Sequence, residues 1–304
     1  MRLCNRNESL APAADGTGFK CDWQWTSELD APRFLPSLGT ALMRRALRDH
    51  PIHRAAAPAP SAHPQASFVI GHRGLARLPH LLATLESIAG QAQARVECIV
   101  VEQDNEPFIA GSLPAWVQYV HTPLRDRTMP FSRAWAFNEG VRHARSDTLI
   151  LHDNDMLVPQ DYAATVLQRM AQGFDVVNSK RFVFYLTEAH TRAIFEAGSP
   201  LTAEAPLAIV QNLEGGGSIG IRLEAYRAIG GFDEAFVGWG GEDVEFWERA
   251  GTRRLWPYAS LPIVHLWHSA QPGKHTPDSP NLRLYHERAR IDPRQRVQRL
   301  LELQ

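Results

Sequence analysis

The sequence of 304 residues predicts an α/β fold in which helices cover both faces of a mostly parallel sheet. Short apolar strands alternate with helical patterns between residues 67 and 153, which is typical of this class. The apolar fraction of 44% is enough for a substantial core. Polar residues follow the ends of the apolar strands, and ligands of such sheets bind beyond the carboxyl ends of the strands.

The charge balance and the cysteine pattern exclude several classes of protein. Lys and Arg number 32, Asp and Glu number 33, and the net charge is -1, which indicates no nucleic-acid partner. Cys4, Cys21 and Cys98 lack the spacing of a metal site or a disulfide framework. No apolar run reaches the roughly 20 residues that cross a bilayer, and the N-terminus lacks a secretory signal. We therefore expect a cytoplasmic protein with at most peripheral membrane contact.

Residues 1–66 are expected to form an N-terminal extension. Apolar residues at helical spacing in the stretch 33–50 predict a short helix that packs on the main domain. Another face of this helix is basic and carries Arg44, Arg45 and Arg48. A basic amphipathic helix that contacts a membrane surface is the alternative interpretation. The stretch 55–66, rich in Pro and Ala, predicts a linker and a domain boundary.

The main domain is expected to span residues 67–275. Its first half predicts the strands "SFVIG", "RVECIVVEQ", "WVQYVHT" and "DTLILHD", with the helices "LPHLLATLESIAGQ" and "FSRAWAFNEGVRHAR". Its second half predicts a strand pair in "DVVNSKRFVFYL", helices ending in glycine in "RLEAYRAIGG" and "EDVEFWERAG", and a strand in "LPIVHLWH". Residues 276–304 predict a charged helical tail that is broken near Pro293.

The stretch "LILHDNDMLVP" places acidic residues directly after an apolar strand. Asp153 and Asp155 flank Asn154 where the chain turns, so their oxygens can reach one divalent cation and its ligand. Crowded carboxylates repel one another and lose hydration unless a positive group lies between them. A turn or a helix cap is the alternative, because Asp and Asn also form turns.

Two histidines follow another apolar strand. His265 and His268 are three residues apart, which suits half of a metal site, whereas two surface histidines without a metal are the alternative. Imidazole together with carboxylate favours Mn²⁺ over Mg²⁺, because Mg²⁺ prefers oxygen ligands alone. The histidines and the acidic cluster at residues 153–155 together predict one cation between two strand ends.

The stretch "GWGGEDVEFW" holds an aromatic residue between glycines. The glycines allow the backbone to pass close to a ligand, and Trp239 can stack on a sugar ring. Glu242 and Asp243 begin a helix, where the helix dipole favours negative charge. Simple helix capping would explain the two acids but leaves the tryptophan unexplained.

The stretch "EGGGSIG" fits two known patterns. The dinucleotide pattern is rejected because no apolar strand leads into these glycines. Gly216, Ser218 and Gly220 fit the hydrolase pattern G-x-S-x-G, and Ser218, Asp243 and His265 follow the chain order of an α/β-hydrolase triad. Apolar residues after Ser218 predict a strand where the hydrolase needs a helix, but a serine hydrolase stays an alternative.

These stretches together resemble the GT-A nucleotide-sugar glycosyltransferases over about residues 67–270. The first half, with "FVIGHRG", "IVVEQDNE" and "RAWAFNEGVRHARSDTLILHDNDM", is similar to bacterial family-2 enzymes. The second half, with "GGGSIGIRLEAYRAIGGFDEAFVGWGGEDVEF" and "VHLWH", is similar to β-1,4-galactosyltransferases and chondroitin synthases, and "WGGED" is its most specific element. The resemblance implies a GT-A fold, a UDP-sugar donor, a glycan or glycoconjugate acceptor, and Mn²⁺ with Mg²⁺ as the alternative.

The resemblance also implies roles for individual residues. Asp243 would be the catalytic base, and the acceptor would contact Trp239, Glu242, Gly216 and Ser218. The nucleotide-sugar would contact His72, Arg73, Glu102, Phe131, Arg133, Asp153 and Asn154. The metal ligands would be Asp155, Asp153, His265 and His268, and the resemblance leaves open which histidine is the principal ligand. Val244 replaces a further acid of the galactosyltransferases, so their acceptor does not transfer to this chain.

We therefore expect a metal-dependent, inverting glycosyltransferase of bacterial glycan or glycoconjugate synthesis. An aspartate of ordinary pKa, about 3.9, is ionised at neutral pH, so Asp243 can accept the proton of the acceptor hydroxyl. The alternatives are a retaining transferase of the same fold, the serine hydrolase built on Ser218, and an inactive module that binds sugar-nucleotides.

Overall fold

The computed structural model describes residues 2–12, 19–256, 258–270 and 279–303. Within these ranges the strands are β1 (Arg2–Pro12), β2 (Phe19–Glu28), β3 (Ala66–His72), β4 (Val96–Gln103), β5 (Val117–Thr122), β6 (Thr148–His152), β7 (Met156–Leu157), β8 (Val176–Val177), β9 (Lys180–Tyr185), β10 (Ala208–Gln211), β11 (Ser218–Arg222), β12 (Leu255–Trp256) and β13 (Leu261–His265). The helices are α1 (Ala31–Phe34), α2 (Pro36–Asp49), α3 (Leu78–Ala89), α4 (Arg133–Val141), α5 (Tyr162–Ala171), α6 (Glu188–Ala197), α7 (Leu223–Ala228), α8 (Glu242–Ala250), α9 (Pro280–Arg288) and α10 (Pro293–Leu301).

The main sheet has the strand order β12-β8-β11-β6-β3-β4-β5. Strands β6, β3, β4 and β5 are parallel, as the alternation of strands and helices predicts. Strand β11 is antiparallel to both β6 and β8. The central strands are apolar and buried throughout because both faces of a parallel sheet are covered.

The two faces of the main sheet belong to separate parts of the core. In β3, Phe68 and Ile70 pack with the buried side of α3, whereas Val69 packs with Phe137 of α4 on the other face. Successive side chains of a strand point to opposite faces, so a single apolar strand contributes to both layers. This arrangement brings the carboxyl ends of β3, β4 and β6 to the same edge of the sheet.

A second sheet has the strand order β1-β2-β10-β9-β13-β7. The expected strand pair in residues 175–186 is wrong in its pairing, because β8 belongs to the main sheet and β9 to the second sheet. Lys180 N donates to Asn178 Oδ1 at 3.2 Å in the short turn between these strands. Strand β13 runs parallel to β9 and delivers His265 to the edge where β6 ends.

The N-terminal segment contributes to this second sheet. Strand β2 pairs with β10, and Met43 of α2 is buried among Phe184 and Val264. The predicted packing of the short helix is thus present. The two strands before it, β1 and β2, were not predicted. Their signal is the alternation of apolar and polar residues in "FKCDWQWTSE".

The tail forms two helices, α9 and α10, that separate before Pro293 as the sequence predicts. The tail packs on α8, where Tyr285 Oη donates to Glu248 Oε1 at 2.8 Å and Arg296 Nη2 donates to Glu248 Oε2 at 2.7 Å. Across the described ranges, every helix falls short of the length and apolar character that a membrane crossing requires.

Candidate functional site

A cavity of about 820 Å³ lies at the carboxyl ends of β3, β6 and β13. Its volume is in the range of sites for small molecules and cofactors, roughly 300–1,000 Å³. Most of the residues that the sequence analysis selected line this cavity, namely Arg73, Phe131, Arg133, Asp153, Asn154, Asp155, Gly216, Trp239, Glu242, Asp243, His265 and His268. Three selected residues do not line it, namely His72, Glu102 and Ser218.

One wall carries a cluster of possible metal ligands. His265 Nε2 lies 3.8 Å from Asp155 Oδ1, and His268 Nε2 lies 3.3 Å from Asp155 Oδ2. One ligand atom from each of the three residues lies within 4.8 Å of the others. The backbone fixes this geometry because Leu266 N donates to Asp155 O at 2.9 Å, which joins the end of β13 to the turn after β6.

The donor atoms of this cluster fit a divalent cation. His268 Nδ1 donates to Ser269 O at 2.7 Å, so its Nε2 directs a lone pair towards the Asp155 carboxylate. Asp155 Oδ1 is buried and has no hydrogen-bond partner in the described part of the chain. A carboxylate and a neutral imidazole suit Mn²⁺ better than Mg²⁺. Asp155, His265 and His268 are therefore the residues that would hold the ion.

Arg77 supplies a positive charge at the same place, a role that was not predicted from the sequence. Its Nη2 donates to Asp155 Oδ2 at 2.5 Å, and the side chain lines the cavity. Burial alone would raise the pKa of Asp155, but His265, Arg77 and His268 lower it below its ordinary value. The available signal was the position of Arg77, five residues after the end of β3.

Asp153 lies outside the metal-ligand cluster, although the sequence analysis included it among the metal ligands. Its Oδ1 accepts a hydrogen bond from Arg133 Nε at 2.8 Å, and its Oδ2 accepts one from Gly217 N at 3.1 Å. Both residues lie in the turn between β6 and β7, and this turn directs Asp153 and Asp155 to different partners. Asp153 therefore serves as the partner of Arg133 in this structure.

His72 acts on the cavity through Asn154. Its Nε2 donates to Gly74 O at 2.9 Å, so its Nδ1 accepts a hydrogen bond from Asn154 Nδ2 at 2.9 Å. Burial lowers the pKa of His72 to about 4, which keeps the ring neutral and this pattern intact at neutral pH. The structure thus places His72 behind the cavity wall, where it orients Asn154.

Glu102 is fully buried and already bonded to its surroundings. Its carboxylate accepts hydrogen bonds from Phe108 N at 3.1 Å, Ile109 N at 3.3 Å and Tyr119 Oη at 2.6 Å. It therefore fixes the loop after β4, and the structure does not bring it to the cavity as the resemblance implied.

Ser218 also differs from its expected place. Its side chain is buried beneath the sheet, where Tyr162 Oη donates to Ser218 Oγ at 2.8 Å. Asp243 Oδ1 accepts from Val244 N, and His265 faces Asp155, so the three residues of the hydrolase alternative are engaged separately. The expected acceptor contact by Ser218 and the serine triad both lack support from these contacts.

Glu242 and Asp243 begin α8 and line the cavity beside Arg133. Burial and the neighbouring Asp243 raise the pKa of Glu242 to about 7, against the opposing effect of Arg133. Burial also raises the pKa of Asp243, while Arg133 lowers it. The expectation of an ordinary pKa for Asp243 was therefore wrong, because the sequence does not show that the helix start is buried.

Glycines let the acid pair and Trp239 reach the cavity. A Cβ atom on Gly216 would lie 2.7 Å from Asp243 Oδ2, so the absence of a side chain at Gly216 leaves room for that carboxylate in its present position. Gly238, Gly240 and Gly241 have φ angles of 91°, 104° and 87°, a region that other residues rarely adopt. The loop presents Trp239 at the cavity with 37% of its surface exposed.

The cavity also has walls outside the stretches that the sequence analysis selected. Tyr185 packs against His265 with ring centroids 4.5 Å apart, and Tyr185 also lines the cavity. The start of α9 contributes Ser279, Pro280 and Asn281. The local sequence of the tail gives no signal for this role, because it arises only when α9 packs beside α8.

Comparison with known proteins places the chain among sugar transferases. A family model described as "Glycosyltransferase like family 2" matches residues 67–266. Human β-1,4-galactosyltransferase 6 is 31% identical over 126 residues, which are 40% of this chain and 27% of that protein. Human β-1,4-galactosyltransferase 5 is also 31% identical over 126 residues, which are 40% of this chain and 26% of that protein. The chain thus spans about a quarter of the length of these relatives.

A solved structure supports the fold. The crystal structure of GalNAc-T7 with UDP, GalNAc and Mn²⁺ superposes with a TM-score of 0.51 at 15% sequence identity. The match covers 75% of this chain and 49% of GalNAc-T7. The prediction of a GT-A fold is confirmed.

Proposed function

This chain belongs to the glycosyltransferase-like family 2, and on that premise we propose that it transfers a sugar from a nucleotide-sugar to an acceptor hydroxyl with inversion at the anomeric carbon. One observation carries the proposal. The Asp155–His265–His268 cluster and the Glu242–Asp243 pair line the same cavity of about 820 Å³. A transferase needs a positive charge at the leaving group and a base at the acceptor hydroxyl, and this cavity brings residues for both together.

The donor is proposed to be a UDP-sugar bound with Mn²⁺, which the UDP and Mn²⁺ in the related GalNAc-T7 structure support. A divalent cation held by Asp155, His265 and His268 would stabilise the negative charge of the departing diphosphate. Arg73 lines the cavity, and among the described residues its Nη1 donates to Met129 O, which leaves its other N–H groups able to donate to phosphate oxygens. We propose Phe131 and Asn154 as further contacts of the nucleotide-sugar.

Asp243 is proposed to remove the proton of the acceptor hydroxyl as its oxygen attacks the anomeric carbon. The raised pKa makes Asp243 a stronger base than an ordinary aspartate, and Arg133 favours its charged form. Glu242 would bind the acceptor by a hydrogen bond, and Trp239 would stack on its sugar ring. The proposed setting is bacterial glycan or glycoconjugate synthesis in the cytoplasm, which the similarity of the first half to bacterial family-2 enzymes supports.

Replacing Asp243 by asparagine tests this mechanism. We expect Asp243→Asn to retain Mn²⁺-dependent UDP binding in calorimetry while turnover falls about 10²–10⁴-fold, since a general base typically contributes that much. The matched control is Glu224→Gln, which changes an exposed acid at the start of α7 outside the cavity lining. A rate near that of the unmodified protein would remove Asp243 from the role.

The configuration of the first-formed product tests inversion. Proton NMR with a donor of known anomeric configuration should show the opposite configuration in the product. A product with the donor's own configuration would establish the retaining alternative. Donor binding without turnover, across UDP-, GDP- and dTDP-sugars with a panel of sugar acceptors, would favour the inactive binding module.

A further inference from the structure

A second surface of the protein carries exposed apolar side chains. Phe34, Leu35 and Leu38, where α1 meets α2, are exposed by 82%, 57% and 48%. Leu207, exposed by 61%, follows Pro206, whose Cγ lies 3.4 Å from a Cβ atom built on Gly39 of α2. We call Phe34, Leu35 and Leu38 the apolar patch. Leaving three large apolar side chains together in water is unfavourable, so such a patch marks an interaction site.

Helix α2 uses only part of its apolar surface for packing. Gly39 and Met43 face the protein and are buried. Residues seven apart lie on the same side of a helix, so Leu38 and Arg45 share one line of the outer face and Ala41 and Arg48 share another. The outer face therefore runs from the apolar patch to a group of arginines.

The charge at the far end of α2 is positive. Between Leu38 and Arg48 the sequence has three arginines and no acid. Asp49 pairs with Arg45 at 2.7 Å and lies 3.8 Å from Arg48, so one negative charge faces the three positive charges. Arg44 Nη2 donates to Thr202 O at 3.4 Å and has no acidic partner within the described ranges. This charge is concentrated, since the whole chain has a net charge of -1.

A groove of about 360 Å³ lies at this basic end. Arg44 and Arg48 border it together with the apolar side chains of Leu47, Ile52 and Leu201. Two guanidinium groups beside an apolar floor suit a ligand that joins a phosphate to a hydrocarbon chain. An anionic phospholipid has this chemistry.

We propose that this face of the protein docks on an anionic lipid bilayer. The apolar patch enters the boundary between headgroups and acyl chains, and Arg44 and Arg48 bind lipid phosphates. Charge complementarity selects this occupant, because a basic face beside an apolar edge matches a negatively charged membrane surface. The docking is peripheral and independent of the reaction at the cavity.

Sedimentation of the full chain with lipid vesicles tests the proposal. Vesicles of phosphatidylcholine that contain phosphatidylglycerol should bind the protein, pure phosphatidylcholine vesicles should bind it weakly, and added salt should release it. Arg44→Gln/Arg48→Gln should weaken binding about 30-fold, or about 2 kcal/mol at 1.4 kcal/mol per tenfold. Arg290→Gln, an exposed arginine elsewhere, is the matched control.

The apolar contribution has its own variants. Phe34→Ser/Leu38→Ser should reduce binding to the anionic vesicles, whereas Leu303→Ser, an exposed leucine of the tail, should not. Circular dichroism and thermal unfolding verify that each variant is folded. Absence of binding to anionic vesicles, or equal binding by all variants, would overturn the proposal. A dimer in light scattering that Phe34→Ser/Leu38→Ser dissolves, without vesicle binding, would assign the patch to a second copy of the chain.

Discussion

Arg77 holds the position of a counter-ion at the proposed metal site. Its guanidinium bonds to Asp155 Oδ2, which faces His268 as well. An incoming Mn²⁺ must share or displace this bond. We expect Arg77→Gln to bind Mn²⁺ about tenfold more tightly in the absence of nucleotide, since a buried carboxylate without its partner attracts a cation more strongly.

Calorimetry with Mn²⁺ alone measures this effect, because no phosphate is present for Arg77 to contact. Arg73→Gln is the matched control, since Arg73 lines the cavity but donates to the carbonyl of Met129. Weaker Mn²⁺ binding by Arg77→Gln would show that Arg77 supports the site and does not compete with the cation.

Glu242 should make the stability of the protein depend on pH. Its pKa is raised from 4.5 to about 7 in the folded protein, so the folded state binds the proton more tightly than the unfolded state. Its ionisation therefore costs stability progressively as the pH rises from about 4.5 to about 7. Glu242→Gln should be more stable than the unmodified protein above pH 7, by roughly 3 kcal/mol at 1.36 kcal/mol per unit.

Thermal unfolding at pH 5 and pH 8 measures this difference, which should be several-fold smaller at the lower pH. Glu224→Gln, at an exposed acid in the first turn of α7, should show the same small difference at both values. A stabilisation by Glu242→Gln that is equal at pH 5 and pH 8 would contradict the raised pKa.

The sequence predicts which residues lie at the strand ends better than it predicts the hydrogen bonds and packing contacts of those residues. Asp155, His265 and His268 could be expected to meet, because each follows an apolar strand and strand ends share an edge. Glu102 also lies at the end of a strand, but its carboxylate accepts hydrogen bonds from the backbone N–H groups of Phe108 and Ile109. The sequence around Glu102 does not predict these bonds. Asn281 carries no signal at all, because its place depends on helix packing.

At the level of elements, a buried ion pair anchors the helix that carries the acid pair. Arg249 donates to both carboxylate oxygens of Glu245 at 2.7 and 2.6 Å, and also to the carbonyls of Ile229 and Gly231. Breaking a buried pair from one side costs about 3–5 kcal/mol, because the remaining charge stays buried. We expect this loss of unfolding free energy in Arg249→Met.

The chain provides a matched control for that variant. Arg192 and Glu188 form an exposed pair with the same spacing of four residues, at 3.0 Å on α6. Exposed pairs of this kind contribute only about 0.3–0.5 kcal/mol, so Arg192→Met should change the denaturation midpoint little. Similar losses for the two variants in urea unfolding would refute a special role for burial.

At the level of the whole molecule, the sequence does not show which strands far apart in the chain pair with each other. Glu28 pairs with Val210, and this contact joins the N-terminal segment to the second sheet. The pattern of residues 19–28 permits a strand, but nothing nearby identifies its partner. The parallel strands of the first half were predictable because apolar strands alternate with helical patterns along this part of the chain.

Removing residues 1–28 should expose β10 as an unprotected edge strand. We expect this truncated chain to unfold at a lower temperature, because β10 loses its pairing with β2 at Val210 and Gln211. A chain that begins at residue 19 keeps β2 and is the control. Equal unfolding temperatures of the two chains would show that β2 does not stabilise the sheet.

The start of α9 lines the cavity, although it lies beyond the stretch 67–266 that the family model matches. The groups proposed for the reaction end at His268, so they and this part of the wall are encoded in different portions of the gene. Over evolutionary time, the tail can vary and reshape the cavity while selection preserves the bond-forming groups. In the laboratory, exchanging residues 279–303 between relatives offers a way to diversify acceptors without rebuilding the chemistry.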